Sequence, residues 1–260
     1  MFPLKLAAII LITTIATFVW PRFPWTRFWL RTNFQSRDLP IGFGLVPSFA
    51  FILLCLCSHG QGLASAATLI LITAIGLVDD VFGNADNRGL RGHIRALWAK
   101  KITTGLCKMF VCLVVSVSFS FFTYGMDWSR ITVLTLLIAG LSNVFNLLDL
   151  RPGRCQFVAI VLLGIIQLYA WSVLGIIGMM VLLITYRPDA QGKVMMGDCG
   201  STTIGAFIAL SIQENHGSTG MLLFTTVGIL LNLAAERWSF TRLIADSTWL
   251  SGIDRKLGVR

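Results

Sequence analysis

Long apolar stretches separated by short charged connections dominate this sequence. Hydrophobic residues make up 55% of its 260 residues and charged residues only 13%, whereas roughly a quarter of an ordinary soluble domain is charged. A soluble globule of this size could not cover itself with polar surface at that composition. The composition therefore excludes a soluble enzyme, a disordered chain and a nucleic-acid-binding module. It predicts a polytopic membrane protein.

Nine of the stretches are candidate membrane-spanning helices, since about 20 apolar residues cross about 30 Å of hydrocarbon. The division between the sixth and seventh is the least distinct, and one long kinked element is the alternative there. We expect an all-α, polytopic membrane helical bundle over 1–235, followed by a cytoplasmic interfacial tail over 236–260. The nine stretches are 4–20, 41–58, 63–78, 105–122, 131–147, 156–172, 174–186, 200–213 and 219–235.

Basic residues cluster in alternate connections between these stretches. Of the 21 Lys and Arg residues, all but Lys5 and Arg130 lie in the connections at one face. Cytoplasmic loops of membrane proteins carry such an excess. We therefore expect a multi-pass protein of the inner (plasma) membrane, with the N-terminus outside, the C-terminus cytoplasmic and the active face in the cytoplasm. The net charge of +9 then needs no nucleic-acid partner.

Acidic residues lie mostly at the same face, and none lies in the middle of an apolar stretch. Ion-coupled transporters usually need ionisable groups within the membrane, which disfavours transport. We expect the chemistry of the protein at the cytoplasmic interface.

The first candidate motif is the Asp79-Asp80 pair at the end of the third stretch. Two adjacent carboxylates repel each other and need compensation. A divalent cation would supply it, since hard cations prefer oxygen ligands. A solvated helix end is the alternative interpretation.

The second motif ends the fifth stretch. Asn143, Asn146 and Asp149 follow one another at intervals of three residues, so on a helix they share one face. Arg151 and Arg154 flank a Pro-Gly turn and could fork onto phosphate oxygens. The alternative is a capped helix end with arginines that extend toward water.

The third motif opens the eighth stretch with Gly197, Asp198, Gly200 and Ser201. A Gly-Asp-x-Gly-Ser turn before a helix lets the backbone approach a phosphate or a metal closely, and Asp198 can supply a metal ligand. A plain N-cap formed by Ser201 is the alternative.

Two weaker segments complete the set. Residues 36–44 place Pro and Gly at a helix entry, and residues 88–108, ending in Lys108, form a basic segment that could attract an anionic lipid head. All five motifs are predicted to face the same side. Together they suit a metal-dependent phosphoryl transfer between a soluble phosphate ester and a lipid.

The motifs at 79–80, 146–149 and 196–201 occur in the order and topological positions of a known family. The chain, over roughly 33–205, resembles the polyprenyl-phosphate N-acetylhexosamine-1-phosphate transferases (glycosyltransferase family 4). This family includes phospho-N-acetylmuramoyl-pentapeptide transferase and the enzymes that start O-antigen and teichoic acid synthesis. The resemblance implies transfer of a sugar-1-phosphate, N-acetylhexosamine-1-phosphate by family, from a UDP-sugar to undecaprenyl phosphate, with release of UMP.

The resemblance also implies roles for individual residues, and Mg²⁺, with Mn²⁺ as the alternative ion. Asp79, Asp80 and Asp198 are expected to be catalytic and to bind the metal. A homodimer is a further expectation. The predicted substrate-binding residues are Asn146, Asp149, Arg151, Arg154, Lys108, Gly197 and Ser201.

The sequence departs from the family after Asp149. The family continues with Gly-x-Asp-Gly, whereas this chain has Leu150-Arg151-Pro152-Gly153, so the second acid of that loop is absent from this position. The histidine-rich cytoplasmic loop of the family has no counterpart either. These departures leave open an alternative function, a non-catalytic relative that binds polyprenyl phosphate or scaffolds a cell-envelope assembly complex.

Overall fold

Helices form most of the regular structure in the computed structural model of the protein, which describes residues 2–22, 30–33, 35–58, 60–83, 92, 98–99, 101–215 and 217–258. Numbered in chain order, the helices are α1 Phe2–Val19, α2 Leu45–Cys57, α3 Gly62–Phe82, α4 Thr104–Tyr124, α5 Trp128–Leu148, α6 Arg154–Tyr169, α7 Val173–Ala190, α8 Gly197–Asn215, α9 Ser218–Arg237, α10 Phe240–Asp246 and α11 Thr248–Leu257.

Each predicted apolar stretch coincides with one of the helices α1 to α9. Among the described residues, six of these helices (α1, α3, α4, α5, α7 and α9) are long and apolar enough to cross a membrane. Helices α2 and α6 are apolar but shorter, with 13 and 16 residues. The all-α membrane bundle is therefore confirmed, and the chain is a multi-pass membrane protein. Nine crossings and the orientation of the termini stay predictions.

The least distinct division of the sequence, between α6 and α7, is a true helix boundary. Helix α6 ends at Tyr169, and the Ser172 hydroxyl then accepts a hydrogen bond from the Gly175 N–H at 3.0 Å. The Ser172 N–H itself donates to Gln167 Oε1 at 2.6 Å. A serine N-cap of this kind starts a new helix because it satisfies an N–H that has no partner within the helix.

A short antiparallel hairpin precedes α2 and was not predicted. Its strands are β1 Leu30–Thr32 and β2 Asp38–Pro40, with Leu30 opposite Pro40. Strands of three residues are too short to show the alternation that reveals a strand in a sequence. The Pro40 carbonyl accepts from the Met195 N–H at 3.0 Å, which ties the hairpin to the segment that enters α8.

Helix α8 lies at the centre of the described bundle. Its residues 199–212 are all buried, and it packs against α2, α3, α5 and α6. Its hydroxyl groups bond within the protein, as in the 2.8 Å contact between the hydroxyls of Thr203 and Thr73 on α3. Polar groups at membrane depth need such partners, and the hydroxyls of Thr202, Thr203 and Ser211 also donate to carbonyl groups of α8 itself.

Small residues allow this close packing. A Cβ added to Gly205 would collide with the Leu141 carbonyl and lie 2.7 Å from Ser142 Cα on α5. A Cβ added to Gly76 of α3 would lie 2.7 Å from Cys199 Cα. Glycines at helix contacts are typical of membrane bundles, where close backbone approach provides much of the attraction.

Replacement of Gly205 by Leu is therefore expected to lower the free energy of unfolding by about 1–3 kcal/mol, the cost of overpacking a tight contact. The measurement is the melting temperature of the purified protein in detergent. Gly164→Leu is the matched control, because a Cβ at Gly164 on α6 meets no atom within 4 Å. Equal melting temperatures for the two variants would contradict the close α5–α8 packing.

Candidate active site

Asp80 anchors the beginning of α8 to the end of α3. Its two carboxylate oxygens accept the backbone N–H groups of Asp198 at 2.7 Å and Cys199 at 2.9 Å. Gly197 has a positive φ of 73°, and a Cβ there would lie 2.6 Å from the Asp80 Oδ2 atom. The Gly-Asp turn predicted from the sequence is thus seated directly on Asp80. A carboxylate at this position also suits the positive end of the helix dipole.

Lys108 brings two further carboxylates together. Its Nζ lies 2.9 Å from Asp79 Oδ2 and also forms an ion pair with Asp198 Oδ2. The three side chains come from α3, α4 and α8, and Lys108 is buried. A shared ammonium offsets the mutual repulsion of two carboxylates. Sequence reasoning placed Lys108 in a basic surface segment, and its burial between acids was not foreseen.

Asn146 and Ser201 complete this cluster. With the Asn146 amide turned to satisfy donors and acceptors, its nitrogen donates to Asp198 Oδ1 at 2.6 Å, and its oxygen accepts from Lys108 Nζ at 3.2 Å. The same nitrogen lies 3.1 Å from Ser201 Oγ. The acidic pocket is the name used below for Asp79, Lys108, Asn146, Asp198 and Ser201.

The weak motif at 36–44 also reaches this region. The Gly44 N–H donates to the Met196 carbonyl at 3.0 Å, and a Cβ on Gly44 would collide with Gly200. Gly44 thus packs against the turn that carries Asp198, beside the acidic pocket. The remaining motif is only partly visible, because Arg88, Arg91 and Arg95 lie outside the described residues.

Asp149 lies beside the acidic pocket and next to a second acid, Asp189. Burial and the negative charges of Asp189, Asp198 and Asp80 raise the pKa of Asp149 well above its usual range, and the Gly197 N–H offsets part of this effect. Asp149, Arg151 and Asp189 help to line a cavity of about 70 Å³. No motif of the sequence points to Asp189, because it lies inside α7 after Pro188.

Arg154, predicted to bind phosphate, has another partner. Its Nε and Nη2 atoms donate to the two carboxylate oxygens of Asp254 at 2.5 and 2.7 Å. Both side chains are buried. The pair joins the start of α6 to α11, so the observed role of Arg154 is to hold the C-terminal helix. Its contact with substrate stays a prediction.

The predicted set of three metal-binding aspartates is not assembled as a cage. The described residues contain no group of three or more His, Cys, Asp or Glu side chains placed to hold a metal, and Asp80 faces backbone N–H groups instead. The donor chemistry of Asp79 and Asp198 nevertheless fits Mg²⁺. This ion is usually held by one or two carboxylates together with substrate phosphates rather than by an all-protein cage. Mg²⁺ binding stays a prediction.

The fold and the acidic pocket define a multi-pass membrane protein in which charged and amide side chains of four helices meet at one end of the bundle. The family model of glycosyl transferase family 4 matches residues 63–214, from the start of α3 to the end of α8. The match covers more than half of the chain, so the chain belongs to glycosyl transferase family 4 and is a membrane glycosyl-1-phosphate transferase in general terms. No curated protein matches the chain.

The capping role of Asp80 predicts a loss of stability in Asp80→Asn of about 1–3 kcal/mol, because the new amide NH₂ cannot satisfy the second buried N–H. The measurement is thermal unfolding in detergent. Asp127→Asn is the matched control, since Asp127 caps α5 through the Arg130 N–H at 3.1 Å but is exposed, and Asn caps helices about as well as Asp. An Asp80→Asn variant as stable as this control would refute the capping role.

Proposed function

We propose that the protein transfers a sugar-1-phosphate from a UDP-sugar, a UDP-N-acetylhexosamine by family, to undecaprenyl phosphate and releases UMP. The observation that carries the proposal is the acidic pocket itself. Four helices bring Asp79, Lys108, Asn146 and Asp198, which lie far apart in the sequence, to one place. Because the basic loops are predicted to be cytoplasmic, the proposed active face lies at the cytoplasmic side of the inner membrane.

The proposed reaction is an in-line displacement at phosphorus. An oxygen of the lipid phosphate attacks the phosphorus that bears the sugar, and the bond from that phosphorus to the bridging oxygen of UMP breaks. UMP leaves with the electron pair. The attacking phosphate is already largely ionised at neutral pH, since its second pKa is about 6. Positioning and charge compensation are therefore more important than removal of a proton.

Each residue of the acidic pocket has a task in this proposal. Asp79 and Asp198 would hold Mg²⁺, or Mn²⁺ as the alternative, and a bound ion supplies neutralisation of the charge on the diphosphate. The Lys108 ammonium, which lies between these carboxylates, would contact a phosphate oxygen. Asn146 fixes the orientation of the Asp198 and Lys108 side chains through its hydrogen bonds, and the Ser201 hydroxyl in turn bonds to the Asn146 amide.

The neighbouring loop would bind the nucleotide-sugar. Asp149 projects next to the Gly197 turn, and Arg151 lines the small cavity beside it. A carboxylate and a guanidinium at this position can accept from sugar hydroxyls and donate to phosphate oxygens respectively.

A second candidate function is a non-catalytic relative that binds polyprenyl phosphate or scaffolds an assembly complex. The ion pair between Arg154 and Asp254 favours this second function, because a cation that was expected to bind phosphate is instead paired within the protein. The loop that carries Asp149 also lacks the second acid of the family at its usual position.

The Asp198→Asn variant tests the proposal. Loss of one preorganised charge at the reacting centre typically costs roughly 100- to 1000-fold in rate, so we expect that decrease in UMP release from a panel of UDP-sugars with undecaprenyl phosphate and Mg²⁺. Asp246→Asn, an exposed carboxylate of α10, is the control and should keep wild-type turnover.

Three outcomes separate the hypotheses. Normal turnover of Asp198→Asn would contradict the role of Asp198. Wild-type turnover that persists in excess chelator would contradict the need for a divalent cation. No UMP release by the wild-type protein with any UDP-sugar, together with retained binding of undecaprenyl phosphate, would favour the non-catalytic relative.

A further inference from the structure

The C-terminal helix α11 is hydrogen-bonded to the residue that follows the loop 149–153, which carries Asp149. This residue, Arg154, donates two hydrogen bonds to Asp254 and a third, from Nη1, to the Thr241 hydroxyl at 3.2 Å. Arg154 is 5% exposed and Asp254 8% exposed. An ion pair this buried is costly to desolvate, and removal of one partner leaves an uncompensated charge. The contact is therefore specific and is not a transient surface pairing.

The end of α11 also lies close to the backbone of the loop 149–153 and to α7. The Tyr186 hydroxyl on α7 donates to the Leu257 carbonyl at 2.5 Å. Gly153 has a φ of 79°, and a Cβ there would collide with the same carbonyl. A Cβ on Gly258 would lie 2.7 Å from the Pro152 carbonyl oxygen. The end of α11 thus packs directly against the turn that follows Asp149.

The same turn is also held by α7. The buried Asp189 carboxylate accepts the Gly153 N–H at 3.0 Å and the Gln156 Nε2 at 3.2 Å. The loop 149–153 therefore contacts both an acid of α7 and the C-terminal helix. Its conformation, and with it the position of Asp149, depends on both contacts.

We propose that Asp254 is a positioning residue for the transfer reaction, and that α11 is part of the catalytic unit. Asp254 acts through Arg154, which fixes the loop 149–153 and so the place of Asp149 beside the acidic pocket. It does not touch substrate. The proposal rests on the proposed function, because it assigns Asp149 to the nucleotide-sugar.

The test compares Asp254→Asn with Asp254→Glu, which keeps the carboxylate, and with Asp246→Asn, an exposed acid of the same tail. A misplacement of about 1 Å at a reacting group can cost roughly 100-fold. We expect kcat/KM for the UDP-sugar to fall by about that factor in Asp254→Asn through a higher KM. The KM for undecaprenyl phosphate should not change, and Asp254→Glu should recover most of the loss.

Hydrogen exchange of the peptide that covers 149–154, measured on the full-length protein in lipid nanodiscs, gives a readout that does not depend on turnover. We expect faster exchange in Asp254→Asn than in Asp246→Asn. If Asp254→Asn unfolds, the double variant Arg154→Met with Asp254→Leu replaces it, because a buried ion pair can often be exchanged for apolar residues without loss of stability. The double variant should show the same rise in KM.

The outcomes are distinguishable. Unchanged exchange in the loop would overturn the proposal. Faster exchange with an unchanged KM for the UDP-sugar would show that the contact is only structural, and would also overturn it. A wild-type protein without any turnover would refute the proposed function and with it the positioning role, whereas the exchange experiment would still show whether Asp254 holds the loop.

Discussion

The buried Lys108 ammonium, held between the carboxylates of Asp79 and Asp198, is the interaction on which the arrangement of the site depends. Burial in surroundings of low dielectric constant disfavours an unpaired charge, whether it belongs to a carboxylate or to an ammonium. Their pairing joins α3, α4 and α8 at one end of the bundle. With both acids ionised, two carboxylates and one ammonium leave one net negative charge. A divalent cation bound with an anionic diphosphate is a chemically suitable addition to such a pocket.

The packing of α8 turns this local pairing into a fixed geometry. Small residues let α8 approach α3 and α5 closely, and Asp80 fixes the start of α8 through two backbone N–H groups. Asp198 belongs to this anchored turn, so the backbone determines the direction of its side chain. The two adjacent acids therefore have different roles. Asp80 anchors the start of α8, and Asp79 belongs to the acidic pocket.

Much of this architecture could be predicted from the sequence, because helix formation in a membrane depends on local apolar length. The stretch predicted at 131–147 became Trp128–Leu148, and the one at 219–235 became Ser218–Arg237. The three polar motifs were recognisable because each places carboxylates, amides or glycines at a short, fixed spacing beside an apolar stretch. The stretch at 41–58 was predicted to begin four residues before α2 does, since residues 41–44 form the turn that packs against the start of α8.

Other features could not be predicted, since they depend on contacts between distant segments. The pairing of Arg154 with Asp254 joins residues 100 positions apart, and neither residue carries a local pattern that names its partner. Asp189 lies within α7, and no local pattern there indicates its partner either. The role of Asp80 required the backbone of α8 to be in place. Lys108 appeared to belong to a basic surface segment because sequence alone does not show that it turns inward.

A double-mutant cycle on Lys108→Met and Asp198→Leu, read as the free energy of unfolding in detergent, tests most directly whether these two side chains meet in one buried pocket. Residues in direct contact show coupling energies of about 0.5–3 kcal/mol, whereas independent sites add. The observed geometry predicts that the double variant loses clearly less stability than the sum of the two single variants. Strictly additive losses would contradict the shared pocket.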